Sequence, residues 1–169
     1  MAANPQQGSS TELACGMAAE IVRSFGEVRL RVFGTSMVPS ILPGDLIAIR
    51  RAGVREISRG DVVLYSRRGR LFVHRVVDRK GLSGAPGLEE FCLITRGDRL
   101  AHDDPPVHKR ELLGRVVSVE RGNRKIEFAA RAHGSGQWVV RLLLASDRAT
   151  FLYLRLAAFR RTFLGKETK

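Results

Sequence analysis

Cysteine is scarce in this chain, with only Cys15 and Cys92 in 169 residues and no C-x-x-C spacing. That excludes a disulfide framework and a dithiol motif. Cys15 lies in a helical apolar pattern and Cys92 in a strand-like one, so both are expected to be reduced and buried. Long apolar runs are missing too. No stretch reaches about 18 consecutive apolar residues, so no spanning helix is expected. Residues 1–10 have neither the basic start nor the apolar stretch of a secretory signal peptide. The chain is therefore expected to be cytoplasmic or peripherally associated with a membrane.

Acidic residues are few, 17 against 29 Lys and Arg, and the imbalance is uneven. Residues 1–120 carry 18 basic against 14 acidic side chains, whereas 121–169 carries 11 against 3. Positive charge is thus largely a property of the tail, which fits an anionic lipid surface, nucleic acid, an acidic partner or simply a soluble surface. The one helical stretch before the first strand is too short for a helix-turn-helix domain, so no specific nucleic-acid partner is expected. Length allows one domain with a sizeable core and an appendage.

Residues 1–9 are polar and Gly/Pro-containing and are expected to be disordered. Ser9-Ser10-Thr11-Glu12 offers a capping box, after which Leu13, Met17, Ile21 and Phe25 recur every four residues until Gly26. This predicts an amphipathic helix over 10–26, laid on the core as a lid. From Val28 the pattern changes to short apolar runs at 46–49, 62–65, 71–77, 91–95, 112–119 and 126–128, punctuated by Gly-containing turns. The series predicts a coiled, mainly antiparallel β domain over 27–128, with a surface insertion at 80–90. Residues 129–169 form a basic tail in which 138–164 is helical. Arg141, Arg148 and Arg155 lie seven apart on a narrow stripe and apolar residues fill most other positions. So wide an apolar face is expected to lie on an anionic membrane surface, on the core or on another subunit.

The chemistry is concentrated around Gly34-Thr35-Ser36-Met37-Val38-Pro39-Ser40. An alternating strand pattern runs into a glycine there, placing the Ser36 hydroxyl on an exposed bend. A serine attacks a carbonyl only with a base beside it. His74 is the candidate, on one face with Phe72 and Val76 by period two. A carboxylate to orient the imidazole is available in Asp98, Asp103 and Asp104, all in the loop that follows Thr95-Arg96-Gly97. His102, Asp103, Asp104 and His108 also allow a metal reading, although their spacing matches no established ligand motif.

Taken in order, Ser36-Met37-Val38-Pro39, Gly44-Asp45, Gly60-Asp61-Val62-Val63, Val73-His74-Arg75-Val76, Thr95-Arg96-Gly97-Asp98 with Asp103-Asp104, and Gly114-Arg115-Val116 resemble the boxes of signal peptidase I. Bacterial members pair the serine with a lysine. Histidine at that position resembles the archaeal and endoplasmic-reticulum branch. The resemblance implies a fold of coiled antiparallel sheets, with Ser36 as nucleophile, His74 as general base, Asp104 as orienting acid and Asp98 as an important neighbour. Histidine suits the role, because an imidazole titrates near ~6.5 and needs little tuning whereas a lysine must be desolvated. The Ser36 N–H is the expected oxyanion donor. Where many relatives add a serine hydroxyl, this chain has Gly34, with Thr35 next to it. Family members usually carry a membrane anchor before the serine box, and in its place only the amphipathic helix before Gly26 is expected here.

The expected function is therefore a serine endopeptidase acting on signal or leader peptides of precursor proteins, with no cofactor and no metal. Its partners are a peptide or precursor substrate and, through the tail, an anionic membrane surface. Two alternatives stand beside it: a self-cleaving regulator like the LexA relatives, with Cys15-Gly16 as the bond to cut, and a non-catalytic binding module of the same fold.

Overall fold

A computed structural model of the chain describes residues 5–82, 90–127 and 155. It opens with helix α1 (Pro5–Phe25), which starts ahead of the Ser9 to Glu12 box and takes in part of the segment expected to be disordered. Pro5 is compatible with a first turn because an N–H there has no intrahelical partner.

The face that α1 turns to the core is not the one its large residues mark out. Leu13, Met17, Ile21 and Phe25 are 67, 58, 39 and 81 % exposed, whereas Ala18, Ala19 and Val22 are buried. Small side chains let the helix lie close against the sheet, and Ala19 and Val22 join its core. The lid is real, but its large apolar stripe faces outward.

After α1 come strands β1 (Glu27–Arg31), β2 (Leu46–Arg51), β3 (Val62–Arg67), β4 (Arg70–Leu82), β5 (Glu90–Arg96), β6 (Leu112–Arg121) and β7 (Arg124–Glu127), with a 3-10 turn at Val54–Glu56. They form one antiparallel sheet in the order β1-β2-β6-β3-β4-β5, with β7 added to β6. The mainly β, antiparallel class expected from the short apolar runs is what the structure has. The insertion expected at 80–90 is shorter than its composition implies, because Lys80, Gly81 and Leu82 still pair with Cys92, Phe91 and Glu90.

Two strands change partners midway, and this curls the sheet. Residues Arg70–Arg75 of β4 pair with β3, and from Arg75 onward β4 pairs with β5, with a register shift between Val76 and Asp78. In β6, Gly114 passes so close to β2 that a Cβ there would collide with the Arg50 carbonyl. One core cluster lies between α1 and the sheet, around Val22, Met37, Ile41, Ile47, Leu64 and Val116. A second, around Val63, Tyr65, Val76, Leu93 and Val107, supports β4, which carries His74, and β5, which leads into the loop of Asp104.

Among the described residues no helix is long and apolar enough to cross a membrane. The tail at 129–169 lies outside the described residues except for Arg155, which is helical and exposed.

Candidate active site

Ser36 stands on the turn that follows the β1 segment, and three ties hold that turn. The Arg99 N–H donates to the Ser36 carbonyl at 2.9 Å. Below it, the fully buried Asp45 accepts from the Leu42 N–H at 2.7 Å and from Arg121, whose Nη2 also reaches the Ser40 carbonyl. On the far side the Ser40 hydroxyl donates to Asp98. Gly97 is required here, since a Cβ at that position would come within 2.8 Å of the Ser36 carbonyl oxygen.

His74 rises from β4 onto an aromatic bed. Tyr65 stacks on Phe72 with ring centroids 5.3 Å apart, and the His74 ring stands 6.2 Å from each of them. Its Nε2 lies 3.0 Å from Ser36 Oγ and its Nδ1 lies 2.6 Å from Asp104 Oδ2. A carboxylate only accepts, so Nδ1 carries the proton and Nε2 is left with its lone pair toward the serine hydroxyl. The structure thus brings together Ser36, His74 and Asp104, 38 and 30 residues apart along the chain.

Asp104 is itself positioned by β5. Its N–H donates to the Thr95 carbonyl at 2.7 Å, and the Thr95 hydroxyl donates to its Oδ2 at 2.7 Å. Burial pushes the Asp104 carboxyl up, but hydrogen bonds from His74, Thr95 and Tyr65 outweigh it and hold the group below its ordinary value. Burial pushes the Tyr65 phenol up to about 12, and the nearby Asp104 charge adds to the effect. Tyr65 therefore stays a neutral hydroxyl, 3.5 Å from His74 Nδ1.

Asp98 lies beside the catalytic residues and contacts Arg75 and Ser40. It makes a bidentate pair with Arg75, at 2.7 Å to Nε and 2.8 Å to Nη2, and accepts from Ser40. Its bonds run to the support of the serine turn and not to His74. Arg75 follows His74 on β4, so this part-buried pair couples the base strand to the nucleophile turn.

Asp103 points away, 3.4 Å from Arg96 and half exposed. Among the described residues no group of three or more His, Cys, Asp and Glu side chains gathers as a metal site. At Gly34, a Cβ would meet nothing within 4 Å, and Thr35 contributes its carbonyl to the turn by accepting from the Val38 N–H at 3.2 Å.

Beside Ser36 and His74 opens a groove of about 700 Å³, walled by Leu30, Val32, Ile47, Leu64, Leu71 and Val73. One bank is the β1 segment and its continuation, at the edge of the sheet. The other is the first half of β4, which has β3 on one side only. Tyr65 and Thr95 are site residues to which sequence reasoning assigns no role, although Thr95 heads the Thr95-Arg96-Gly97-Asp98 box. Tyr65 reads as the end of an apolar strand and Thr95 as the start of a turn, and only the pairing of β3 with β4 and of β4 with β5 brings them to the imidazole.

No curated protein matches the chain. Residues 4–83, which include Ser36 and His74 and stop short of Asp98 and Asp104, match the family model described as Peptidase S24-like, a match that supports the serine-peptidase superfamily of LexA and the signal peptidases.

Proposed function

We propose that this chain is a serine endopeptidase that cleaves signal or leader peptides of precursor proteins, with Ser36 as nucleophile, His74 as general base and Asp104 as orienting acid. The observation that carries the reading is the unbroken chain Ser36 Oγ, His74 Nε2, His74 Nδ1, Asp104 Oδ2 at the wall of an apolar groove.

Substrate enters as an extended strand between the two banks, its main chain pairing with the free edges and its apolar side chains facing Leu30, Val32 and Leu71. As Ser36 Oγ attacks the scissile carbonyl, its proton passes to His74 Nε2. Asp104 stabilises the resulting imidazolium. The Ser36 N–H donates to the developing oxyanion; the bond from Arg99 to the Ser36 carbonyl fixes the turn that presents it. His74 then gives the proton to the leaving amine, and a water activated by the same nitrogen releases the acyl group from Ser36.

Self-cleavage at Cys15-Gly16 is the competing reading. That bond lies inside α1, and a helical bond must unwind before it can be presented as a strand. Intact mass after long incubation with an apolar test peptide separates the two: a cut peptide and an unaltered enzyme support the proposal, and a fragment beginning at Gly16 overturns it.

A further inference from the structure

A second cavity, of about 630 Å³, opens between the end of α1, the end of β2 and the turn before β6. Arg23, Arg51, Lys109 and Arg110 supply its charge, with Leu112 and Leu113 among its apolar lining. It shares no lining residue with the catalytic groove.

Among the described residues no carboxylate lines this cavity, and Glu111 and Glu56, which lie near it in sequence, are engaged. Glu111 takes Arg67 in two bonds and the His108 N–H in a third, and Glu56 accepts from the Gly53 N–H at 2.9 Å. Glu20 comes only to 3.9 Å from Arg23, with both side chains more than half exposed, which neutralises little. Arg51 Nη1 donates to the main-chain carbonyl of Arg23 at 2.9 Å, which holds the Arg51 guanidinium at the end of α1, beside the same cavity that Arg23, Lys109 and Arg110 line. Such a cluster attracts an anion.

We propose that this cavity is an exosite for an acidic, apolar segment of the precursor, remote from the bond that is cut; this rests on the peptidase reading above. Two features favour peptide over nucleic acid. The apolar part of the lining suits an aliphatic side chain flanked by carboxylates, each of which meets an Arg fork or a Lys point charge. Of the two rings in the lining, Phe91 and His108, the larger already carries the Arg79 guanidinium 5.4 Å from its centroid, which leaves little platform for a base. Both cavities border α1, at Ala18 and at Arg23, about 7.5 Å apart along the helix axis.

The test is fluorescence anisotropy with full-length Ser36→Ala protein, which needs no cleavage and so does not depend on the catalytic reading. The probe is a short labelled peptide of alternating Glu and Leu; a Lys-Leu peptide and oligothymidylate serve as comparisons. Adding Arg51→Glu, Lys109→Glu and Arg110→Glu should weaken Glu-Leu binding at least about tenfold, and salt should weaken it in the parent. Reversing Arg59, Arg68 and Arg124 instead, an equal change in net charge, should leave it within about twofold. Equal losses in the two triple variants, or no loss in the first, overturn the exosite. So does oligothymidylate binding more tightly than the peptide and being lost with the same three residues. Thermal melts of both triple variants establish that they fold.

Discussion

Asp104 Oδ2 receives two hydrogen bonds, from His74 Nδ1 at 2.6 Å and from the Thr95 hydroxyl at 2.7 Å. The two donors sit on neighbouring strands, β4 and β5, so the position of the carboxylate is set by sheet pairing and not by the loop that carries it. The adjacent Asp103 has no part in this and instead faces Arg96.

That asymmetry predicts unequal mutants. Asp104→Asn should lower kcat by at least about a hundredfold, because an amide neither stabilises an imidazolium nor fixes the Nδ1–H tautomer. Asp103→Asn should stay within about twofold, as expected for an exposed ion pair. Steady-state kinetics on one peptide substrate distinguish them, and equal losses would make the whole loop structural.

Thr95 acts through Asp104, and a conservative replacement exposes that. Hydrogen-bond donors hold the Asp104 carboxyl below its ordinary value against the upward push of burial, so it stays an anion near neutrality. Thr95→Val removes one donor and should lower kcat two- to tenfold, for a bond of about 0.5–1.5 kcal/mol, whereas Thr95→Ser keeps the donor and should restore most of the loss. Equal losses in the two variants would assign Thr95 to packing alone.

Stability in acid should follow a different pair. Arg67 bonds to both oxygens of Glu111, at 2.7 and 2.9 Å, and this holds the Glu111 carboxyl down at about 2. The folded value is depressed, so this stabilisation is complete above the ordinary carboxylate range and is lost as pH falls from about 4.5 toward about 2. Glu111→Gln should lower Tm near neutrality and flatten the fall of Tm across that window. A variant that tracks the parent through the window would remove Glu111 from the account.

Much of this was legible in one dimension. The short apolar runs mark the strands, and the order of the serine, histidine and aspartate boxes brings Ser36, His74 and Asp104 forward. The face of α1 was not legible, because periodicity gives weight to Leu13, Met17, Ile21 and Phe25 while close approach to a sheet favours Ala18 and Ala19. The support of the site was equally hidden. Tyr65, Thr95 and the Arg75-Asp98-Ser40 link depend on which strands pair and on where β4 changes partner, and no local pattern encodes that.

The tail yields a localisation experiment. Its arginine stripe at 141, 148 and 155 and its wide apolar face fit a helix lying in an anionic surface, each arginine contributing about 1 kcal/mol. Full-length protein should sediment with anionic liposomes at low salt and be released at high salt. Truncation after His133 should abolish the binding. Unchanged binding in the truncated chain, or none in the parent, would leave the tail as a packing helix.

The central claim is that His74, oriented by Asp104, activates Ser36. Labelling with a fluorophosphonate probe, followed by peptide mapping, tests it most directly, since the probe reacts only with an activated hydroxyl. The account predicts a single adduct on Ser36 that is lost in both Ser36→Ala and His74→Ala variants of unchanged thermal stability. An adduct on another residue, or labelling of Ser36 that persists undiminished in His74→Ala, would contradict it.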